Sequence, residues 1–219
     1  LADVREAKPM GAEPAFAAYQ QALASEQQGN LDAARRSQLT VIQDFPSSRI
    51  IPLSYLAFGL FFAKEAPRDP SKWTFAEQSF QEVVKYPPPE NVAYAIANVE
   101  LGKVFAAEGR DDGALASFKR AFEASAEFPE LGCAEPARTA ARSGLVQSYA
   151  KAGSPERAPD FFRASPHDEW PGAVAELVHL YRTSGNDQGA RAALVPALRA
   201  SATPALCEEA VPLARGDAD

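Results

Sequence analysis

The chain has 219 residues, of which 46% are hydrophobic and 23% are charged, and its formal net charge is -7. This composition is typical of a soluble globular protein of one or two domains. The acidic balance argues against nucleic acid as a partner, because a nucleic-acid-binding face shows an excess of Lys and Arg. The longest apolar window, Ile50 to Ala63, contains Pro52 and is shorter than the roughly 20 residues of a membrane-spanning helix.

Residues 1–12 show no hydrophobic periodicity, and we expect them to be a disordered tether or the remnant of a leader. The sequence starts at Leu1 rather than Met. That start fits removal of a leader, a lipidated segment or a tether, and a purification scar is the alternative. Residues 13–219 are predicted to form one helical domain, because Ala, Glu, Gln, Arg and Leu are plentiful and β-branched residues are sparse.

The first two predicted helical hairpins follow in chain order. In the first, Gly29 ends one helix and Ala34 lies in the next. In the second, Gly59 lies in the first helix and Phe80 in the second, and an insertion over residues 64–72 replaces the short turn. The insertion is rich in Pro and charge, which predicts a surface loop.

The third hairpin, Leu101 to Phe122, has the clearest pattern. Gly109 is at the expected end of the first helix, because glycine accepts the left-handed backbone of a C-cap. Ala114 and Phe118 share a face of the second helix at helical spacing. Gly102 is predicted to let the partner helix approach closely. A second Pro-rich insertion, residues 127–137, is predicted to be a surface loop.

The fourth and fifth hairpins turn at Gly153 and Gly185. Pro159 and Pro196 fall inside their second helices, so these helices are predicted to be short, kinked or late in starting. The chain then offers Thr203 as an N-cap before Pro204, which predicts a C-terminal capping helix. We expect Pro212 to limit this helix and residues 216–219 to fray.

One alanine recurs in each hairpin where its two helices are predicted to cross. These alanines are 42, 38, 44 and 32 residues apart, and only the last spacing is near the period of about 34 found in tetratricopeptide repeats. The crossing alanines are Ala34, Ala76, Ala114, Ala158 and Ala190.

Residues 13 to 200 resemble the tetratricopeptide repeat (TPR) family. The resemblance consists of Leu-Gly, an aromatic three residues later, a Gly at the turn, and then Ala, an aromatic and Ala. It is strongest over residues 101 to 121 and around Gly185. It implies an all-α fold, a right-handed α-α superhelix of about five helical hairpins with a C-terminal capping helix.

Few residues suggest chemistry. His167 and His179 are the only histidines, and no His-x-x-x-His or Cys-x-x-Cys pair exists, so we expect neither a metal site nor a cofactor. Cys133 and Cys207 are predicted about two repeats apart, too far for a disulfide, which favours free thiols. No nucleotide-binding or hydrolase motif is found, and we expect no enzyme activity.

The segment Ser165–Trp170 allows two interpretations. One is a catalytic or ligand-binding cluster of His167, Asp168 and Glu169. The other is a helix start, with Asp168 as the N-cap and a buried Trp170 opening the next helix.

The TPR resemblance implies a concave groove lined by the first helix of each hairpin. The N-terminal half of this groove is predicted to be apolar and the rest basic. Alternatively, the leucines pack against neighbouring helices and the basic residues form a solvated face. The predicted partner-binding residues are Tyr19, Leu23, Leu56, Leu60, Lys64, Val99, Lys103, Gln147, Lys151, His179 and Arg182.

If the groove is as predicted, it suits a peptide with apolar anchors and an acidic portion. Some TPR domains grip a terminal carboxylate with paired Lys and Asn. The matching positions here are Tyr19, Leu23, Leu56 and Leu60, so that function is not carried over.

The function implied is a non-catalytic scaffold for a protein or peptide partner. The run Gln43–Lys64 resembles a junction in bacterial cell-envelope TPR proteins, which implies a periplasmic or envelope location with a membrane tether or lipidated N-terminus. A cytoplasmic location is the alternative. The competing functions are a self-associating structural adaptor and an enzyme or small-ligand binder using residues 165–170. The expected oligomeric state is a monomer or a weak dimer.

Overall fold

The computed structural model describes residues 14–164 and 169–215, and this part of the chain is all-α, with no strand. Residues 1–13, 165–168 and 216–219 lie outside the described residues, so the predicted tether, most of the Ser165–Trp170 cluster and the fraying end do too. The eleven α-helices of the described part are α1 Pro14–Gln27, α2 Leu31–Asp44, α3 Ile51–Glu65, α4 Lys72–Val84, α5 Tyr94–Ala107, α6 Asp111–Glu127, α7 Ala134–Ala152, α8 Ala158–Arg163, α9 Trp170–Thr183, α10 Asp187–Ala200 and α11 Pro204–Arg215.

Three pairs of helices are joined by the same turn. Gly29, Gly109 and Gly185 have φ values of 76°, 71° and 78° and end α1, α5 and α9. In each turn the residue after the glycine donates its N–H to the carbonyl five residues earlier, at 2.8 Å. The glycine itself donates its N–H to the carbonyl three residues earlier. These two hydrogen bonds and the left-handed glycine form the Schellman motif, which satisfies the last carbonyls of a helix. The expected role of Gly109 as a C-cap is confirmed.

The predicted crossing alanines are all fully buried, with 0% of their surface exposed. Close packing also explains two of the glycines inside helices. A Cβ atom at Gly59 would lie less than 3.0 Å from the ring of Phe80, and one at Gly102 less than 3.0 Å from the ring of Phe118. Small residues on one helix therefore make room for aromatic rings on the next, as the sequence pattern predicts.

Contacts between elements are mostly sequential. Most helices pack chiefly on their neighbours in chain order, and α3 with α5, α5 with α7 and α7 with α9 also touch. The exceptions are the short α8, which packs on α9 and α10, and α11, which packs on both α9 and α10. One large apolar cluster runs through these contacts from Ala15 on α1 to Leu213 on α11. The arrangement is consistent with a helical repeat protein.

The prolines have unequal effects. Near Pro159 the second helix starts late: a 3₁₀ turn, Pro155–Arg157, precedes α8, which has only six residues. By contrast, α10 continues through Pro196 over 14 residues, so it is neither short nor late. The expectation for Pro212 is wrong, because α11 continues to Arg215. Pro212 leaves only one carbonyl without an N–H donor, that of Glu208, four residues earlier. Glu208 is exposed, so water can bind this carbonyl.

Both predicted insertion loops are shorter than expected. α3 extends to Glu65 and α4 starts at Lys72, so only residues 66–71 connect them. Residues 128–133 connect α6 to α7. Cys133 is buried and Cys207 is exposed, and neither forms a disulfide, as predicted. No helix among the described residues has the length and apolar character that crossing a membrane requires.

Candidate protein-binding surface

The predicted groove residues do not all reach the surface. Tyr19, Leu56 and Val99 are only 1%, 0% and 3% exposed, so the expectation that they line an open groove is wrong. The physical reason is helix packing: α3 and α5 are enclosed by the helices before and after them, and these three side chains belong to the continuous apolar core. Leu23 and Leu60 are half-buried and pack against the same core.

The remaining predicted residues are accessible. Lys64, Lys103, Gln147, Lys151 and His179 are exposed, and Arg182 is half-buried. All of them lie in the C-terminal halves of the odd-numbered helices α3, α5, α7 and α9. We call Leu23, Leu60, Lys64, Lys103, Gln147, Lys151, His179 and Arg182 the odd-helix surface.

Acidic side chains neighbour most of the cations on this surface. Lys103 Nζ lies 2.8 Å from Glu100 Oε1, one turn earlier on α5. Lys151 Nζ lies 3.9 Å from Asp111 Oδ1, at the start of α6. The positive charge predicted for the groove is therefore partly compensated. Glu100 belongs to the same helix as Lys103, whereas the position of Asp111 beside Lys151 depends on helix packing.

At the C-terminal end of the surface, one carboxylate joins α9 to α11. Glu209 Oε1 is 3.1 Å from His179 Nδ1, and Glu209 Oε2 is 3.3 Å from Arg182 Nε. The Arg182 Nη2 is also 3.3 Å from His179 Nδ1. Sequence reasoning placed the capping helix but missed Glu209, because the contact depends on how α11 packs against α9.

A second polar region lies between α7 and α9. Glu169 Oε1 lies 3.8 Å from Arg138 Nη1, and Glu169 Oε2 lies 3.8 Å from Arg142 Nη1. Arg142 also pairs with Glu176, and Arg163 lies over the Trp170 ring at 4.8 Å. Trp170 opens α9, as the helix-start interpretation predicts, but it is half-buried rather than buried, and the N-cap is Glu169 rather than Asp168. Glu169 is thus part of a structural ion-pair network, while His167 and Asp168 lie outside the described residues.

A cleft of about 400 Å³ lies between α2, the end of α3 and the start of α4. We call it the α3–α4 cleft. Among the residues that line it, Lys64 is the only one that the sequence predicted to bind a partner. Inside it Arg35 pairs with Glu65, and the Ser71 hydroxyl donates to Asp69 at 2.6 Å, which keeps the pKa of Asp69 below its usual value. The lining residues are Leu31, Arg35, Phe61, Lys64, Glu65, Arg68, Asp69 and Lys72.

The clearest pKa shifts belong to two buried tyrosines and not to residues of the odd-helix surface. Burial raises the pKa of Tyr149 to about 12, and it raises the pKa of Tyr181. The Tyr149 hydroxyl donates to the carbonyl of Ser154 at 2.8 Å, beyond the end of α7. These phenols hold helix ends in place. Among the described residues, no group of three or more His, Cys, Asp or Glu side chains is arranged to hold a metal ion.

Comparisons of the chain with protein-family models, with curated proteins and with solved structures found no match. The TPR resemblance therefore depends on the residue pattern, and the repeated turns are the structural observation that bears on it.

Proposed function

We propose that the protein is a non-catalytic scaffold of TPR-like hairpins that binds a protein or peptide partner on its odd-helix surface. In this proposal five hairpins form a right-handed superhelix and α11 caps the last one. The three matching turns at Gly29, Gly109 and Gly185 support a repeated unit, since each is followed by a fully buried crossing alanine five residues later.

One observation carries the binding proposal. On four successive odd helices the C-terminal half presents accessible polar side chains, while most of the N-terminal half of α3 and of α5 is buried. Contacts between successive odd helices keep these side chains on adjoining elements. Repeat proteins use such a continuous face for extended partners.

The chemistry of the surface indicates the class of partner. Half-buried Leu23 and Leu60 offer small apolar contacts at one end, and Lys103, Lys151 and Arg182 offer cations farther along. The neighbouring Glu100, which is 8% exposed, helps to fix the position of the Lys103 ammonium group. A peptide with apolar residues followed by acidic ones complements this order.

The test is a charge reversal on the surface. Peptides that bind the immobilised chain are first selected from a random displayed library. Their affinity is then measured for the parent chain and for the variant Lys103→Glu/Lys151→Glu. We expect binding about tenfold weaker or more, because reversal turns attraction into repulsion at two places. Circular dichroism checks folding, since each new Glu faces an existing carboxylate and costs a few tenths of a kcal/mol.

The matched control is Arg120→Glu/Arg199→Glu. It makes the same change in net charge at two exposed positions on the even helices α6 and α10. The proposal predicts unchanged binding in this control. Equal weakening in both double variants would mean that only overall charge matters. Unchanged binding by Lys103→Glu/Lys151→Glu would mean that the binding site is not on the odd-helix surface.

A second candidate function is self-association. Val195 on α10 is 45% exposed and Val211 on α11 is 51% exposed, so the C-terminal end carries uncovered apolar surface. Light scattering over a concentration series tests this candidate. A mass that rises with concentration and becomes constant in Val195→Ser/Val211→Ser would support it, and a constant monomer mass in the parent chain would remove it.

We further propose a bacterial cell-envelope location, on the resemblance of Gln43–Lys64 to the junction in envelope TPR proteins. Any membrane contact would then come through an N-terminal anchor. The coding sequence upstream of Leu1 tests this: a signal peptide, lipidation cysteine or membrane span would support it. An initiating Met directly before Leu1 would favour the cytoplasm.

A further inference from the structure

We propose that the α3–α4 cleft is a second binding site, which shares only Lys64 with the odd-helix surface, for an acidic peptide segment that carries one aromatic side chain. The site combines an excess of positive charge with the exposed ring of Phe75 and the half-buried ring of Phe62.

The charge of the cleft is opposite to that of the chain. Four cations line it, Arg35, Lys64, Arg68 and Lys72, against the carboxylates Glu65 and Asp69. The balance is four minus two, or +2, in a chain whose net charge is -7.

Two of these cations remain available to a ligand. Arg35 is engaged by Glu65 and lies over the Phe61 ring at 5.4 Å, so it belongs to the wall. Lys64 and Arg68 are exposed, and within the described part of the chain neither forms an ion pair. Concave surface strengthens their field, because a low-dielectric wall reduces screening by water.

The aromatic component adjoins the cleft through Lys72. The rings of Phe62 and Phe75 are 5.3 Å apart between centroids. Lys72 Nζ, which lines the cleft, is 6.0 Å from the Phe62 centroid and 5.7 Å from that of Phe75. Phe75 is 46% exposed, so its ring can pack against an aromatic side chain of a ligand.

The shape and the charges together favour a peptide. A volume of about 400 Å³ accommodates a few residues rather than a folded domain. The two carboxylates would repel a doubly charged phosphate group, and Asp69 stays ionised because Ser71 donates to it. Those same oxygens can accept hydrogen bonds from the N–H groups of a peptide backbone, while Lys64 and Arg68 attract its Asp and Glu side chains. Lys72, whose Nζ lies 3.8 Å from Asp69 Oδ2, adds to the positive field.

The experiment measures fluorescence anisotropy of a short labelled peptide made of Glu, Asp and Gly with one central Phe, titrated with the whole chain. We expect saturable binding that weakens as salt rises. Arg68→Glu/Lys72→Glu should weaken binding about tenfold or more. Lys72 is the first residue of α4, where an acidic replacement is favourable to the helix, so folding is preserved.

Two double variants serve as controls, and both should weaken binding of the peptide less than the cleft variant Arg68→Glu/Lys72→Glu does. Arg120→Glu/Arg199→Glu makes the same charge change on even helices. Lys103→Glu/Lys151→Glu separates this site from the odd-helix surface, so that either proposal can fail alone. Equal weakening by the cleft variant and by either control would overturn the proposal.

The aromatic contact is tested by a double-mutant cycle. Phe75→Ala should weaken binding of the Phe peptide several-fold, yet leave unchanged the binding of a peptide with Ala in place of Phe. No saturable binding of the Phe peptide, or equal loss with both peptides, would contradict the site as described. So would displacement of the peptide by inorganic phosphate or by a single-stranded oligothymidylate at concentrations comparable to its own.

Discussion

The aromatic ring of Phe118 lies so close to Gly144 that a Cβ atom on the glycine would come within 3.0 Å of the ring. A Cβ atom on Gly102, on the neighbouring odd helix, would also come within 3.0 Å of it. Phe118, which is 4% exposed, thus fills the space between α5 and α7 and fixes how closely these helices approach. The sequence predicted that a helix approaches closely at Gly102, whereas Phe118 as the contacting residue and the contact at Gly144 emerged only from the packing.

We predict that Gly144→Ala destabilises the fold by about 1–3 kcal/mol, because the new methyl group overpacks the contact with Phe118. Urea unfolding followed by circular dichroism measures the change. Gly132→Ala is the matched control, since a Cβ there meets no atom within 4 Å. Equal unfolding midpoints for the two variants would contradict the contact.

A second prediction concerns the repeated turn. Gly109→Ala should cost about 1–2 kcal/mol, because an L-residue at φ 71° is strained. Gly109→Asn should cost less, since asparagine tolerates this backbone better. No atom lies within 4 Å of a Cβ at this position, so the cost comes from the backbone alone. The same urea assay decides, and an Ala variant as stable as the parent would refute the assignment.

A third prediction is a stabilising change. Gln38 is 0% exposed, and neither its Oε1 nor its Nε2 has a hydrogen-bond partner in the described part of the chain. Gln38→Met keeps the shape and removes the buried polar groups, so we expect a gain of about 1–2 kcal/mol in unfolding free energy. Gln147→Met, at an exposed position, should change little. Loss of stability in the Gln38 variant would show that its amide is satisfied.

The fourth prediction is a pH dependence. Burial raises the pKa of Tyr149 from 10.0 to about 12, so between these values the unfolded chain releases the phenolic proton while the folded chain keeps it. Stability from this group is complete below pH 10 and decreases as pH rises towards 12, by about 1 kcal/mol per pH unit. Tyr149→Phe should show a shallower decline in urea unfolding over that range. Tyr86→Phe, at an exposed position, should retain the slope of the parent, and identical slopes in all three would refute the prediction.

The helical pattern was predictable because its causes are local. A glycine that ends a helix and an alanine five residues later follow from backbone geometry and helix periodicity, and Gly109 with Ala114 shows both. The helix that contains Pro159 is short and starts late, as expected, whereas the helix that contains Pro196 is neither short nor late. A single proline removes one hydrogen bond, and tertiary packing of the rest of the helix can outweigh that loss.

The candidate surface was predicted less well, because exposure is not a local property. Register placed Val99 and Lys103 on one face of α5, yet neighbouring helices bury the first and leave the second in solvent. The α3–α4 cleft is lined by residues from α2, α3 and α4, so no single stretch of sequence predicts it.

By itself, the order of residues determined an all-α chain, the positions of its tight turns and the small residues at helix crossings, since these depend on propensity, periodicity and backbone sterics over a few residues. Only the tertiary structure decided which of the predicted groove residues reach solvent, that Asp111 and Glu209 lie beside Lys151 and Arg182, and where cations and aromatic rings gather. Those properties arise from contacts between residues far apart in the chain, where burial and charge depend on every helix packed nearby.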